Sequence, residues 1–529
     1  MSDGEETGLP AADDGTQQPA AVRAVPDAWS GFGRAPLRVL ARIRPPEWAL
    51  VVALAAIGLA VRLVVLNPDT LHGDEALYAY YGLHVTQTGD WLLLHVGFAI
   101  NKIPLFFWAE AVVIGVLGNT PLSIRLVDLA ASLATIGAVY LLARDLAGRA
   151  AGWSAGLAMA LSPFAILFGA SVFTDPFSIA LGIGALALAR RDHACASGIL
   201  IGLAMGGKLF GLAYLPLAVA LLLTLEAPRR RTALIVFLVA FGVTAGALFG
   251  FMAIRTYAYG APWFLSASID GVGGAGLTPV AEYGSRLTAW WSWLGYFAET
   301  NALRFVAAVG LAGAVLAAIR SRGRLRWAIA AICAFSPAYF GFLVIAKSPT
   351  YDRYLFYILP TLCVAVGIGI GEFLRVVRWP SLRQALLLAC TIFVLASTVP
   401  VVAQAETGRF PVGPRSDGTD AGYRQLCSWL QASRDAPTLV WNHSLSWTLA
   451  YCMSGYPARL AWYPDTASIR LGVAPTYLAL AVADDPDATV AALRARGITV
   501  TLVETVDTGQ APHLWLYRLH PAPSTPSNP

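Results

Sequence analysis

The run WALVVALAAIGLAVRLVVL (residues 48–66) is followed closely by LHGDEALY (residues 71–78). The first carries Arg62 as its one charge and has the length a helix needs to cross hydrocarbon, about 20 residues. The second puts two adjacent carboxylates, Asp74 and Glu75, just past the predicted membrane edge. Charge this close to hydrocarbon is costly and usually marks a substrate or ion path.

The first run is one of many. Further apolar segments lie near 122–144, 150–169, 175–189, 194–207, 208–225, 232–254, 303–319, 327–346, 354–371 and 385–403. Across 529 residues, 57% are hydrophobic and 13% charged, with a mean hydropathy of +0.60. A soluble domain is nearer a quarter charged, so the composition excludes a soluble enzyme and specifies a polytopic membrane protein. The net charge of +5 matters less than its placement, and no nucleic-acid partner is expected.

Placement sets the topology. Arg34, Arg38, Arg42 and Arg44 precede the first span, which puts the N-terminus in the cytoplasm. Arg144/Arg149, Arg190/Arg191, Arg229–Arg231, Arg320/Arg322/Arg324/Arg326 and Arg375/Arg378/Arg383 mark alternate connections as cytoplasmic by the positive-inside rule. The opposite connections carry Asp74, Glu75, Lys102, Asp175, Lys208, Lys347 and Asp352. Residues 104–118 break the alternation: they are apolar but short, and contain Glu110. They read as a helix lying at the outer surface, not a crossing. Eleven transmembrane helices follow, plus surface helices in the first outer loop, in the inner (plasma) membrane with the C-terminus outside.

The two ends differ from the middle. Residues 1–33 are Gly-, Ala-, Asp-, Pro- and Gln-rich and read as a disordered cytoplasmic tail, with no signal-peptide pattern. Residues 34–403 form the transmembrane part. Over 404–520, short strands at 438–441, 477–482, 499–503 and 514–519 alternate with helix-like stretches at 419–433 and 486–496, the pattern of a small extracytoplasmic α/β domain. Residues 521–529 form a Pro- and Ser-rich tail. Cys195, Cys333, Cys363 and Cys390 read as small buried hydrophobes. Cys427 and Cys452 are positioned to form a disulfide if that domain faces an oxidising compartment.

Polar groups collect on the outer side: His72, Asp74, Glu75, Tyr78, His84, Asp90, His95, Asn101 and Lys102 in the first loop, then Asp175, Lys208, Asp270, Asp352, Arg353 and Tyr354. Carboxylates with cations on one membrane face suit a lipid-linked phosphate donor. An Asp or Glu takes a proton from an attacking hydroxyl. Lys and Arg bind the phosphate and stabilise the charge growing on it as it leaves. Arg125 and Asp128 read as a structural ion pair. His72, His84 and His95 lack zinc spacing, and no metal site is assigned. Two acids beside a His are also a possible set for a divalent cation. No Walker loop is present, and Gly-rich 271–276 lacks the dinucleotide spacing.

These segments resemble a known family. Gly73–Tyr78, Asn101-Lys102-Ile103-Pro104 with Leu105–Trp108, Ser123–Leu126, Ala170–Pro176, and Asp352–Leu355 with Leu359-Pro360 look like the C superfamily of membrane glycosyltransferases. The nearest likeness is to the protein O-mannosyltransferase relatives, which include the lipid A aminoarabinose transferases; Ile103 stands where that pattern has Pro. The resemblance covers roughly 48–400. It implies a polyprenyl-phosphate sugar as donor and transfer, with inversion, to an extracytoplasmic protein, lipid or glycan. By carry-over, Asp74 is the catalytic base or acceptor orienter with Glu75 beside it, and Asp175 assists at the acceptor side. Lys102, Arg353 and Tyr354 hold the donor phosphate, and His72, Tyr78, Asn101, Lys208 and Asp270 are further candidate substrate contacts. The aminoarabinose enzymes have an acid where Asn101 stands, which argues against a metal or amino-sugar role there. The rival readings are a lipid or glycan transporter, or flippase, and a non-catalytic glycan-binding relative. A transporter tends to place polar groups at the midplane between repeated halves, and no repeat is visible here.

Overall fold

The computed structural model describes residues 45–66, 71–94, 102–259, 266, 276–298, 300–406, 422–432, 438–456, 458–471, 474–507 and 512–521. Each expected apolar segment is helical. Numbering the described helices in chain order, α1 is Pro45–Val65, α2 Gly73–Thr88, α3 Leu105–Leu117, α4 Leu126–Ala147, α5 Arg149–Leu161 and α6 Pro163–Gly169. Next come α7 Thr174–Arg190, α8 Ala194–Gly207, α9 Tyr214–Leu223, α10 Ala227–Tyr259, α11 Tyr283–Leu294, α12 Asn301–Arg320, α13 Gly323–Ile345, α14 Leu359–Val376 and α15 Pro380–Glu406.

Among the described residues, seven helices are long and apolar enough to cross a membrane, or eight if α5 and α6 count as one span. The difference from the eleven expected lies in α7, α8 and α9, which have 17, 14 and 10 residues. The expected single span over 150–169 is broken: α5 and α6 meet at 59°. Pro163 heads α6 and has no N–H to continue the ladder. The fully buried Arg62 serves the break, donating to Ala160 O and Ala165 O at 3.0 Å each, and also to Gly58 O and Ser132 Oγ.

α14 is the innermost span, and glycine lets its neighbours approach. A Cβ on Gly369 would lie 1.8 Å from Gly310 O of α12, and one on Gly367 2.4 Å from Ala151 O of α5. Backbones packed this closely gain dispersion contacts where lipid offers no hydrophobic drive. At the start of α1, Glu47 accepts from Arg144 (2.9 Å) and Arg149 (3.1 Å). That Arg-rich turn therefore sits at the opposite end of α1 from Asp74.

After the bundle come α16 (Tyr423–Ala432), β1 (Thr438–Asn442), α17 (Ser446–Cys452), β2 (Ala458–Trp462), β3 (Thr476–Ala481), α18 (Pro486–Ala495), β4 (Ile498–Asp507) and β5 (Pro512–Pro521). The sheet order is β2-β1-β3-β5-β4, with β1 parallel to both neighbours and β5 antiparallel to β3 and β4. Leu426, Leu430 and Leu449 pack with Val440 and Ala479 on one face; Val490 and Leu493 pack with Leu478 and Leu480 on the other. Strand β2 was not expected from the sequence. Cys427 and Cys452 are joined in a disulfide, tying α16 to the end of α17.

Candidate active site

The site starts from the first turn of α2. His72 is its N-cap: Nδ1 accepts from the Asp74 N–H at 3.1 Å, and Glu75 Oε2 accepts from the His72 N–H at 3.1 Å. This reciprocal capping satisfies donors a helix start leaves open, and two acids there complement the helix dipole. The capped turn sends the two carboxylates in different directions. Asp74 pairs with Arg353 and lines a cavity of about 880 Å³. Glu75 is fully buried and does not line it.

Glu75 braces instead. Its Oε1 accepts from the Val172 N–H at 3.0 Å and lies 3.7 Å from Arg125 Nε. Asp128 accepts from the next amide but one in chain order after Ser171, that of Phe173. The turn before α7 thus hangs from two buried carboxylates, which fixes Thr174 and Asp175 at the head of α7. Asp175, also fully buried, accepts from Lys208 Nζ through both oxygens, at 2.7 and 2.8 Å. Lys208 lies 4.9 Å from the Tyr354 ring centre and 5.9 Å from that of Phe210, and those rings stack at 4.6 Å.

Lys102 and Arg353 reach the same cavity from separate loops. Each loop is held by another arginine. Arg255, near the end of α10, donates to Lys102 O at 2.8 Å and Leu93 O at 3.2 Å. Arg286 of α11 donates to Leu343 O, Val344 O, Ala346 O and Ser348 O, closing the end of α13 ahead of the Arg353 turn. Carbonyls at a helix end need such partners, and a guanidinium supplies several donors at once. Sequence reading missed both arginines as positioning groups; the one available signal was a cation at the margin of an apolar segment.

The electrostatics follow from burial and pairing. Burial pushes the Asp74 carboxyl up, but the Arg353 guanidinium, with help from His72 and Lys102, outweighs it and holds the group below the usual aspartate range. Burial and the neighbouring Arg353 charge lower the Lys102 ammonium, opposed by Asp74 and Asp175. Tyr78, buried among Phe106, Phe107 and Phe173, is pushed up by burial and stays a neutral phenol. His72 packs its ring 6.2 Å from Phe173. Asn101 and Asp270 lie outside the described residues. Among the described residues, no three His, Cys, Asp or Glu side chains gather as a metal site, and Asp74 and Asp175 already face cations.

Away from this polar end the cavity is apolar. It runs between Leu217 and Ala220 of α9 and Ala331, Phe335 and Phe342 of α13. From above, α17 rests on α2: Trp447 lies 6.1 Å from Tyr80 and 6.2 Å from Tyr81. Tyr451 Oη also donates to Asn119 Oδ1, and Ser454 Oγ to Gln87 Oε1 at 2.6 Å.

The fold is that of a polytopic membrane protein with a small sheet domain following the helical bundle. Residues 101–254 match the family model described as dolichyl-phosphate-mannose-protein mannosyltransferase. The structure is similar to that of ArnT from Cupriavidus metallidurans bound to undecaprenyl phosphate, with 19% identity and a TM-score of 0.63 over 90% of this chain and 98% of that one. It is also similar to the Archaeoglobus fulgidus oligosaccharyltransferase tethered with an acceptor peptide (13% identity, TM-score 0.52, 82% of this chain and 69% of that one). A third likeness is to the arabinofuranosyltransferase AftD from Mycobacteria (15%, 0.51, 88% of this chain and 39% of that one). Comparison with curated proteins by sequence gives no match.

Proposed function

We propose that this chain is a membrane glycosyltransferase that moves a sugar from a polyprenyl phosphate to an acceptor hydroxyl outside the cytoplasm. The observation that carries the reading is a cavity with a carboxylate and three cations at one end and an apolar channel at the other. An isoprenoid tail fits the channel, and its phosphate fits the cationic end.

In the proposed reaction the acceptor oxygen attacks the anomeric carbon from the face opposite the phosphate. The C–O bond to phosphate breaks, and configuration inverts. Asp74 takes the acceptor's proton. Lys102 and Arg353 meet the charge that develops on the leaving phosphate, in a site where little water screens it. Tyr354 and Lys208 flank them, Asp175 holds Lys208 in place, and Glu75 acts through the turn it braces. The Asp74–Arg353 pair adds a coupling: an incoming phosphate competes for the guanidinium, so Asp74 loses part of its partner and becomes a stronger base.

The topology belongs to the same proposal. With the Arg144/Arg149 end in the cytoplasm, the cavity's polar end, α2 and the C-terminal sheet lie outside. Cysteine labelling should find residues 147 and 322 inside and residues 90, 270 and 450 outside. For activity, the purified protein in nanodiscs is given a panel of polyprenyl-phosphate sugars, and release of polyprenyl phosphate is measured. Saturable turnover with one donor supports the proposal. Absence of turnover and of binding across the panel, in folded protein, would overturn it.

A further inference from the structure

In the C-terminal sheet, β1 lies between two parallel neighbours, β2 and β3. The chain leaves β1 through α17, on the face that also carries α16, and leaves β3 through α18, on the opposite face. Adjacent parallel strands whose onward connections diverge open a crevice beyond their carboxyl ends, where open α/β sheets bind ligands. Here the crevice is bordered by His443 and Ser444 after β1, Trp462 and Tyr463 at the end of β2, and Asp484 after β3.

Its border is fixed in place. Asp484 Oδ1 accepts from both the amide and the hydroxyl of Ser444, and Oδ2 accepts from the Ala481 N–H at 2.8 Å. His443 Nδ1 meets Tyr463 O at 2.8 Å, so the proton sits on Nδ1 and Nε2 is an acceptor. The imidazole stacks on Trp462 at 5.7 Å and 21°, and also lies 5.5 Å from the Tyr463 ring. Trp462 is nevertheless 57% exposed. The imidazole braces the indole on one side, and the other side is open to solvent. Beside it, the buried Asn442 donates to Ala461 O, while its Oδ1 has no partner. A buried acceptor left unsatisfied is uncommon and points to a ligand hydroxyl or water.

We infer that this crevice binds a neutral glycan, a function separate from sugar transfer. The C–H face of a sugar ring is flat and apolar and lies on an aromatic plate, while its hydroxyls seek acceptors at the plate's edge. Trp462 is the plate, and His443 Nε2 and the Asp484 carboxylate are the acceptors. The groups bordering the crevice are neutral or acidic, which disfavours phosphates and anionic headgroups. Ala458 and Leu460 pack into the core shared with the bundle, so strand alternation puts Trp462 on the face that carries α17. A glycan held there lies on the side of the sheet that contacts the helix bearing Asp74.

The test uses the full chain in nanodiscs with no donor present. Saturation-transfer NMR and tryptophan fluorescence are recorded against gluco-, manno-, galacto- and arabino-configured oligosaccharides. Wild type should saturate with at least one of them. Trp462→Ala should weaken binding about tenfold or more, Trp462→Tyr should keep part of it, and His443→Ala should lie between. All three should keep the wild-type Tm. The inference is overturned if no oligosaccharide saturates, or if Trp462→Ala binds like wild type. It is also overturned if brominated acyl chains in the nanodisc quench Trp462, which would make it a membrane anchor, or if only peptides bind, along the β2 edge. Because no donor is used, glycan binding by a chain that neither binds nor turns over any polyprenyl-phosphate sugar would sink the proposed function and leave this inference standing.

Discussion

Asp74 and Glu75 are neighbours in the chain and occupy different environments. The Asp74 side chain is 35% exposed and faces the cavity; that of Glu75 is 1% exposed and faces amides and Arg125. Successive residues of a helix point about 100° apart, so a paired acid at a helix start serves two sides. The capping box decides which is which: Glu75 is bent back to the His72 amide, and Asp74 is left to the cavity. A catalytic carboxylate must be reachable by substrate, whereas a bracing one must not exchange its partners for water. The difference teaches that a conspicuous Asp-Glu pair is one candidate base and one strut.

The comparison breaks most directly at Asp74. Asp74→Asn keeps the size and removes the basicity, so we expect transfer to fall by about 10²-fold or more, with insertion and Tm near wild type. Full activity of the amide variant in the purified assay would remove Asp74 from the chemistry. Next in size is Lys102→Ala, which takes one cation from the phosphate end and should lower turnover by about 10- to 100-fold while weakening donor binding. Lys102→Arg should restore part of this, since charge is kept while reach and shape change. If Lys102→Ala binds and transfers like wild type, Lys102 is an anchor to headgroups and nothing more.

Glu75 should behave in the opposite way. Glu75→Gln removes a charge facing the buried Arg125 and weakens two amide contacts, a cost of about 1–3 kcal/mol read as a lower Tm, with kcat per folded molecule little changed. Glu110 is the control. It is buried with both carboxyl oxygens unpartnered, and burial together with the Glu75 charge pushes its carboxyl up, opposed by Arg125. Glu110→Gln keeps the shape, removes the ionisable group and breaks no hydrogen bond, so it should shift Tm by no more than a surface change would, about 0.5 kcal/mol. A large loss of kcat in Glu75→Gln with unchanged Tm would reverse the assignment of the pair.

Most of the bundle was legible because long apolar runs have few folded alternatives: all eleven expected segments are helical, although among the described residues only seven or eight are long and apolar enough to cross a membrane. The bend at Pro163 was not read, although Pro163 was visible, because Arg62 reads as an isolated charge until the break gives it carbonyls to serve. Strand β2 was missed because an edge strand as short as Ala458–Trp462 carries no alternating pattern. At the site, Asp74, Lys102 and Arg353 stood out as charges at membrane edges. Their supports were not read as such: Arg255 and Arg286 did not stand out, and Glu75 stood out only as a companion to Asp74, because all three act through backbone groups of distant segments and sequence does not state which loop a side chain will close.

The smallest expected effect tests the coupling between Asp74 and Arg353. In the free protein Arg353 holds the Asp74 carboxyl below its usual range, so Asp74 is ionised at neutral pH and is lost as a base only as pH falls through that lowered value. The acid limb of kcat/KM, which reports the free enzyme, should therefore lie below the ordinary aspartate region. With donor bound, phosphate shares the guanidinium and the carboxyl rises. The acid limb of kcat, which reports the complex, should lie higher by about one pH unit, within the range that gain or loss of one close opposite charge produces. In Arg353→Lys, where a flexible ammonium replaces the fork, the two limbs should draw together. Coincident limbs in wild type, or a kcat limb below that of kcat/KM, would mean that Arg353 does not leave Asp74 when phosphate arrives. Asp74 would then orient the acceptor as a fixed ion-pair member and would not be the group that takes its proton.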